Sequence, residues 1–406
     1  MLYQKSYNYK GIDNVEKQRI AFIDSDIDLN FIKNDLVKGR HSIGGVWRIL
    51  NDRVITSTDP SLDILSHATL CTKVFLDHTT CMCELFFVNI WDEGELKANI
   101  NDLVTALTWC LENEIKLINL SLGTTLMVDI PPLFDIIDKL IERDVIIVAA
   151  SSNSRLLTFP ASFDNVIGVK ALESKEGHLG FIYQEGSIDQ IEISCYVKEE
   201  VIEYQGYHYP LCAANSLAAP IISAKICSLL SEGYDSIERV KSKLKEESLS
   251  LCHNQDDKIY KKYFEQEIEI PVIAVVNDCY MKSFNVTSFV EQLLMAFAKK
   301  EYHGICLSEN GKTNLSQKVL NLTDFEIYTT VEKLRFYTRY CNVDYIIVEG
   351  HQEFLLESFK GDEIDIILHH SELDFKGKSE ITTVAFSGSE DFEKLFNQLY
   401  CYLSGE

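Results

Sequence analysis

The chain has 406 residues, of which 46% are hydrophobic and 25% are charged, and these fractions are typical of globular proteins. Such a composition excludes a disordered, collagen-like or coiled-coil protein. The length predicts two or three domains, so different segments can serve different purposes.

The chain is strongly acidic, with 38 basic side chains, 62 acidic side chains and a net charge of −24. Such a surface repels phosphate backbones and anionic lipid headgroups, so we expect neither a nucleic acid nor a membrane as partner. The first twenty residues contain no apolar stretch of signal-peptide length, and no apolar run approaches the roughly 18 residues that span a bilayer. We therefore expect a cytoplasmic protein.

From Arg19 to about Leu230, short β-branched apolar runs alternate with helical patterns. The predicted strands are 20–24, 84–91, 117–123, 145–151 and 165–171, and the helices between them include 101–113 and 131–144. Alternation of this kind indicates a mostly parallel sheet with helices on both faces.

A second α/β series begins at Pro271. Its predicted strands are 271–278, 303–311, 344–350, 364–371 and 381–388, followed by a helix over 390–403. The polar stretch 248–269 between the two series has no strand pattern. We therefore assign residues 1–250 to a first domain, 251–269 to a linker and 270–406 to a second, smaller α/β domain.

Twelve cysteines are scattered over both halves, and the close pair Cys81 and Cys83 has no second pair near it in sequence. The zinc pattern of two C-x-x-C pairs is absent, so we expect reduced, buried thiols. His369 and His370 are adjacent on a predicted strand and would point to opposite faces. No Asp-rich loop has calcium-site spacing. The sequence predicts neither a metal nor another cofactor.

Four polar residues of the first domain lie where strands end or helices begin. Asp24 ends a strand, His67 begins a helix, Asn153 follows a strand, and Ser216 precedes a helix with Pro220 in its first turn. Because strand ends and helix starts meet at the carboxyl edge of a parallel sheet, we expect these residues to lie together.

The residue types fit nucleophilic catalysis. A serine hydroxyl becomes a nucleophile when an imidazole takes its proton, and a carboxylate fixes the tautomer of that imidazole. Ser216, His67 and Asp24 supply these groups. The Asn153 side chain and the Ser216 amide can donate to the oxyanion of a tetrahedral intermediate.

The same segments resemble the subtilisin-like serine proteases, whose triad runs Asp, His, Ser with an oxyanion Asn between the last two. The matching segments, which span about 200 residues, are 23–25, 66–69, 119–123, 149–153, 160–162 and 214–220. The resemblance implies a subtilisin-like parallel sheet flanked by helices, a catalytic triad of Asp24, His67 and Ser216, and Asn153 in the oxyanion hole. It also implies that Ser121, Leu122 and Gly123 form the floor of the substrate pocket.

Several positions around the matched groups depart from the family pattern. Residues other than the family's usual glycine, histidine or threonine stand at Asp26, Ala68, Leu70, Ser152, Ala214 and Asn215. Since glycine permits positive φ and close approach of substrate, these changes bear on rate and substrate range. They also leave open a decaying site.

The second domain resembles a P-loop nucleotide-binding domain in the order of its strands and helices. Its loop 277–284 has Lys282 and Ser283 but no glycine, and Gly311 is out of register with Gly304, so the phosphate-cradling motif is missing. We interpret it as a degenerate nucleotide fold that serves as a binding or docking module, without nucleotide hydrolysis.

Together these features predict a serine endopeptidase with an α/β accessory domain. Only 23 residues precede Asp24, which resembles the intracellular branch of the family. A protease that does not damage its own cell needs a restricted substrate, so we suggest a peptide or protein substrate such as the leader of a ribosomally made peptide in a maturation system. One alternative is a catalytically weak or inactive subtilisin-fold binding protein that acts as a peptide-docking partner. Another is a nucleotide-dependent enzyme that works through the second domain. We also expect that a chain truncated at about residue 270 keeps a reactive Ser216.

Overall fold

The computed structural model describes residues 17–50, 52–57, 65–91, 98–154, 156–173, 179–185, 187–249, 267–277, 285–311, 313–314, 317–322, 328–359, 363–373, 375, 381–387 and 392–404. Within them the chain is a mixed α/β protein whose parallel sheets are flanked by helices, and this confirms the predicted fold class. Most of the predicted linker 251–269 lies outside the described residues, and so do Lys282 and Ser283.

A nine-stranded sheet forms the centre of the first half. Its strands are β1 (Gln18–Asp24), β2 (Ser42–Leu50), β3 (Arg53–Thr56), β4 (Cys83–Asn89), β5 (Leu117–Leu120), β6 (Ile146–Ala150), β7 (Ile167–Glu173), β8 (Phe181–Tyr183) and β9 (Ile193–Val197). Their order across the sheet is β3-β2-β4-β1-β5-β6-β7-β9-β8, and only the pairs that involve β3 and β8 are antiparallel. A separate hairpin consists of β10 (Glu200–Tyr204) and β11 (Tyr207–Leu211).

Helices cover both faces of this sheet. They are α1 (Leu29–Lys38), α2 (His67–His78), α3 (Ile100–Glu112), α4 (Ile130–Ile141), α5 (Asn215–Ser231) and α6 (Ile237–Glu247). Their starts follow from local sequence, because Asp28, Ser66, Asn99 and Ser236 each accept backbone N–H groups of the first turn. The caps fix where α1, α2, α3 and α6 begin.

The second half contains a smaller, all-parallel sheet. Its strands are β12 (Val272–Val276), β13 (Gly304–Ser308), β14 (Val319–Asn321), β15 (Tyr345–Gly350), β16 (Ile366–His370) and β17 (Thr382–Phe386), in the order β14-β13-β15-β12-β16-β17. Its helices are α7 (Val286–Ala298), α8 (Thr330–Tyr340), α9 (Gln352–Ser358) and α10 (Phe392–Ser404). Strands β12, β13 and β15 are buried along their whole length, which explains their continuous apolar sequences.

The two sheets share an apolar core. Alternate residues of β1 point to opposite faces, so Phe22 packs with the helix layer of α2 and α5, whereas Ile23 faces the other side. That other side forms one continuous cluster with residues of the second half, among them Ala274, Tyr337 and Ile346. The remaining face of the second sheet packs on α7 and α10.

Backbone contacts also join the halves. The Leu157 N–H donates to the Tyr340 carbonyl oxygen over 2.7 Å, and Leu126 forms a parallel bridge with Asn342. The expectation that a chain truncated at about residue 270 keeps a reactive Ser216 stays a prediction, although truncation would divide this shared core. An apolar face of the first sheet would be exposed to water by truncation.

Three details of the sequence analysis need correction. The sequence did not reveal β2, β3 or the hairpin, whose short or half-exposed strands lack a strong apolar pattern. Helix α5 begins at Asn215, so Ser216 lies within the first turn and Pro220 lies inside the helix. Cys81 and Cys83 do have a third thiol beside them, since Cys227 of α5 reaches the start of β4.

Within the described ranges, the structure has no helix with the length and apolar character needed to cross a bilayer.

A first prediction tests the shared core. Tyr337→Ala removes a buried aromatic ring from the cluster common to both halves, and we expect it to destabilise the chain by about 3–5 kcal/mol and to speed amide exchange in β5 and β6. Phe297→Ala is the matched control, because that buried ring packs only within the second half. Equal exchange in β5 and β6 of both variants would contradict a shared core.

Candidate active site

Asp24 is a buried carboxylate at the carboxyl end of β1. This strand lies between β4 and β5, so its last side chain is surrounded by protein and only 1% of it is exposed. The Ser25 N–H donates to Asp24 Oδ1 over 2.7 Å. A buried charge needs such partners, and one further partner is an imidazole.

His67 is the first residue of α2 and lies against Asp24. Its Nδ1 atom is 2.9 Å from Oδ1 and 2.8 Å from Oδ2 of that carboxylate. Ser66 fixes the position of the ring, because its side chain accepts the Thr69 N–H and begins the helix at His67. The contact holds Nδ1–H toward the carboxylate, which leaves Nε2 available as a base.

Ser216 lies in the first turn of α5, and Cys71 connects it to the histidine. The Cys71 sulfur is 3.8 Å and 3.9 Å from the two ring nitrogens of His67 and 3.6 Å from the Ser216 carbonyl oxygen. Pro220 explains that last contact, because proline has no N–H for the carbonyl four residues earlier in the helix. Among the described residues no hydrogen bond joins Ser216 Oγ to His67.

Asn153 follows β6 and is anchored at the start of α5. Its side-chain oxygen accepts the Asn215 N–H over 3.2 Å, so its amide nitrogen is left to donate elsewhere. Asn215 is itself fixed by Ala171 N–H at 2.8 Å and by the Ser152 carbonyl at 3.0 Å. The Ser216 N–H lies in the same first turn, where backbone donors have no partner within the helix. These two donors can therefore face one acceptor.

Two backbone segments, one after Gly123 and one before Pro160, pair with each other beside this edge of the sheet. Thr124 and Phe159 exchange both of their backbone hydrogen bonds at 2.8 Å, which joins the chain after Gly123 to the chain before Pro160. A Cβ atom on Gly123 would lie 2.7 Å from the Phe159 carbonyl oxygen, so this close approach requires glycine. Of the residues predicted to line a pocket, Ser121 is buried and Leu122 is half-buried, while Gly123 is exposed.

Asp26, which follows Asp24 and Ser25, is held by hydrogen bonds from two side chains. Asp26 accepts from Arg48 at 2.9 Å and from the Asn89 side-chain amide at 2.6 Å. Arg48 lies on β2, a strand that the sequence analysis did not identify. The ion pair is about three-quarters buried on both sides.

The surroundings raise the pKa of His67 above its ordinary value. Coulombic interaction with Cys71 is the largest cause, burial acts against it, and the Asp24 carboxylate raises the pKa further. A raised pKa favours the imidazolium form. Deprotonation of His67, and with it any action as a base, then requires a higher pH.

Sequence reasoning predicted Asp24, His67, Asn153 and Ser216 as site residues and did not single out Cys71, which lies beside His67. A signal was available, since Cys71 follows His67 by one helical turn and so shares its face of α2. The Asn215 side chain could be recognised only as a departure from a pattern, because its two partners come from β7 and from the loop after β6.

Comparison with known proteins gives limited matches. No protein-family model matches the chain. A stretch of 149 residues, 36% of this chain, is 28% identical to the minor extracellular protease Epr of Bacillus subtilis (strain 168). The match covers 22% of that protein, so the chain spans about a fifth of the length of this curated relative.

Solved structures are similar at low identity. The prenylagaramide maturation protease PagA matches with 22% identity and a TM-score of 0.38, over 53% of this chain and 76% of that one. The nisin leader peptidase NisP from Lactococcus lactis matches with 14% identity and a TM-score of 0.44, over 59% and 85%. By name, both are proteases or peptidases.

A second prediction concerns the pH dependence. Cys71→Ala removes the sulfur that raises the pKa of His67, so we expect the acidic limb of kcat/KM to move to lower pH. Each pH unit of movement would raise the rate on that limb about tenfold. Cys110→Ala, at a buried cysteine of α3, is the control with an unchanged limb. An unmoved limb in Cys71→Ala would show that the sulfur carries no charge beside His67.

A third prediction concerns the paired segments. In Gly123→Ala the new methyl group meets the Phe159 carbonyl and forces the two segments apart, at an overpacking cost of about 1–3 kcal/mol. We expect KM for a peptide substrate to rise about tenfold with little change in kcat. In the control Gly206→Ala the methyl group meets no atom within 4 Å but strains the backbone of the β10–β11 turn, where φ is +81°. Stability should therefore fall away from the paired segments, and KM should not change. An unchanged KM would remove these segments from the substrate site.

Proposed function

We propose that the protein is a serine endopeptidase with Asp24, His67 and Ser216 as its catalytic triad. The observation that carries the proposal is the buried Asp24 carboxylate, which holds His67 Nδ1 at 2.8 Å while α5 presents Ser216 on the same edge of the sheet. No metal or nucleotide is needed for this chemistry. The roles of the three groups follow from their protonation states.

In this mechanism His67 takes the proton of Ser216 Oγ at its Nε2 atom, and the oxygen attacks the carbonyl carbon of the scissile peptide bond. Asp24 stabilises the imidazolium that forms. The same imidazolium then protonates the leaving amine, and a water molecule repeats the sequence to hydrolyse the acyl-enzyme. In the substrate-free geometry the Ser216–His67 hydrogen bond is not made, and catalytic hydrogen bonds of this kind often tighten only when substrate binds.

The oxyanion of the tetrahedral intermediate would be held by the Asn153 side-chain amide and the Ser216 N–H. The support is the anchoring of Asn153 by Asn215, which turns the carbonyl end of the Asn153 amide toward α5 and frees the NH₂ group. Both donors are fixed before the reaction, so their orientation costs no free energy as charge develops.

For the substrate, we propose an extended peptide bound beside Ser121, Leu122 and Gly123. The facing segment is held by the second half through the Leu157–Tyr340 hydrogen bond. A pocket wall fixed in this way has limited freedom to adapt, which favours a narrow range of sequences over general digestion. A dedicated substrate, such as the leader of a ribosomally made peptide, is consistent with this restriction.

The alternative function is a binding protein that keeps the fold without catalysis. The observation in its favour is the missing hydrogen bond between Ser216 Oγ and His67 among the described residues. Reactivity of Ser216 separates the two functions directly, because a fluorophosphonate labels only an activated serine.

A fourth prediction tests the triad. A fluorophosphonate probe should label the full chain at Ser216, and Ser216→Ala or His67→Ala should abolish labelling. Ser223→Ala is the matched control, because Ser223 lies on the same helix but donates to the buried Asn119 side chain. A folded chain that stays unlabelled, also in the presence of peptide substrate, would favour the binding protein.

A fifth prediction tests the oxyanion donors. Asn153→Ala removes a donor that acts mainly in the transition state, so kcat should fall about 10²–10³-fold while KM stays nearly constant. Ser154→Ala, one residue further along the same exposed loop, should change neither constant. A proportional rise in KM would instead assign Asn153 to substrate binding.

A further inference from the structure

Three cysteine side chains converge at a place that the proposed peptidase chemistry does not use. Cys81 and Cys83 lie at the start of β4, and Cys227 lies toward the carboxyl end of α5. The sulfur of Cys227 is 2.6 Å from that of Cys81 and 3.3 Å from that of Cys83, and the remaining pair is 3.9 Å apart. Cys83 and Cys227 are buried, and Cys81 is half-buried.

The separation of the Cys81 and Cys227 sulfurs is too short for two independent neutral thiols. Non-bonded heavy atoms in a protein interior lie at about 3.5–4 Å, so the contact between Cys81 and Cys227 needs a bonded explanation. Either the two sulfurs form a disulfide, or all three bind a common cation. A disulfide would use two sulfurs and leave Cys83 beside it without a role, whereas a cation uses all three.

The geometry fits a cation of the size of zinc. A zinc–thiolate bond is about 2.3 Å, and tetrahedral angles then place neighbouring sulfurs about 3.8 Å apart. The Cys81–Cys83 distance of 3.9 Å has this value already. Cys227 would need to move outward by about 1 Å, which a small change in its side-chain torsion angle supplies.

Two polar groups border the cluster. The Thr79 hydroxyl lies 3.5 Å from the Cys81 sulfur, and the His41 ring accepts the Cys83 N–H over 3.2 Å. These contacts hold the segment that carries Cys81 and Cys83 in place.

We propose that Cys81, Cys83 and Cys227 form a binding site for a thiophilic divalent cation, for which Zn²⁺ is the natural probe. Three thiolates and one solvent molecule would complete a tetrahedron. Each thiol that binds releases its proton, so no redox partner is involved.

The site would tie the carboxyl end of α5 to the start of β4. Because α5 begins with the residues around Ser216, a metal at its other end would stabilise the helix without contact to the reacting groups. Binding to the folded chain should therefore raise the melting temperature in proportion to the logarithm of metal concentration.

The test uses the full chain, reduced with a phosphine and freed of metal by a chelator. Zn²⁺ is titrated in competition with a chromophoric chelator, and Cd²⁺ is titrated with detection of thiolate-to-metal charge transfer. We expect one ion per chain, a charge-transfer intensity for three thiolates and a higher melting temperature. Cys83→Ser should weaken Zn²⁺ binding by more than about 100-fold, since even loss of an indirect metal partner costs 10–100-fold.

Two control variants locate the ion. Cys401→Ser removes an exposed, isolated thiol and should bind Zn²⁺ like the unaltered chain. His67→Ala removes a ligand from another group of suitable side chains among the described residues, Asp24, His67 and Cys71, and should also bind Zn²⁺ normally. Loss of binding in His67→Ala would overturn the proposal in favour of the active site.

Measurements on the unaltered chain test the proposal even if Cys83→Ser fails to fold. A Cd²⁺ complex without thiolate charge transfer, or with intensity for fewer than three thiolates, would overturn the proposal. So would protein isolated without reductant that contains no metal and has a Cys81–Cys227 disulfide by peptide mapping. Zinc present in protein isolated without added metal, at one ion per chain, would support the proposal directly.

Discussion

The burial of the Asp24 carboxylate is the constraint on which the rest of the site depends. A carboxylate buried at the end of a central strand is no longer hydrated and needs partners within the protein. Removal of one partner from a buried ion pair typically costs about 3–5 kcal/mol. Ser25 N–H and His67 Nδ1 are its partners, so the helix that carries His67 has to begin at that point. The Ser66 cap places the start of α2 there. Electrostatics and helix capping thus specify the same geometry.

The second half contributes to this site through packing. One face of each sheet enters the same apolar cluster, and the Tyr340 carbonyl accepts the N–H of Leu157 in the chain that follows Asn153. The segment opposite Gly123 is therefore fixed from the side of the second half. The structural role of the second half rests on these contacts.

The sequence predicted the central strands and the groups at their ends because both have strong local signals. Buried parallel strands such as β5 and β6 are continuous apolar runs, and Asp24, His67 and Ser216 lie where those runs end or helices begin. Long-range contacts left no such signal. Neither the shared core nor the approach of Cys227 to Cys81 can be read from spacing, because each depends on how distant elements pack. Strand β2 was missed because its exposed and half-buried residues alternate irregularly.

Two positions that depart from the subtilisin-like pattern, Asp26 and Asn215, carry polar side chains where the pattern has glycine or threonine. Without partners, such side chains would leave hydrogen-bonding groups unsatisfied beside the proposed site. Asp26 instead binds both Arg48 and Asn89, and Asn215 fixes Asn153 through its backbone while its side chain joins β7 to the loop after β6. Partly buried polar groups are costly unless paired, so these hydrogen bonds hold the loops beside Asp24 and Asn153 in place. Side-chain hydrogen bonds thus fix loops to which glycine would give more freedom, and this rigidity is consistent with the narrow substrate range that we propose.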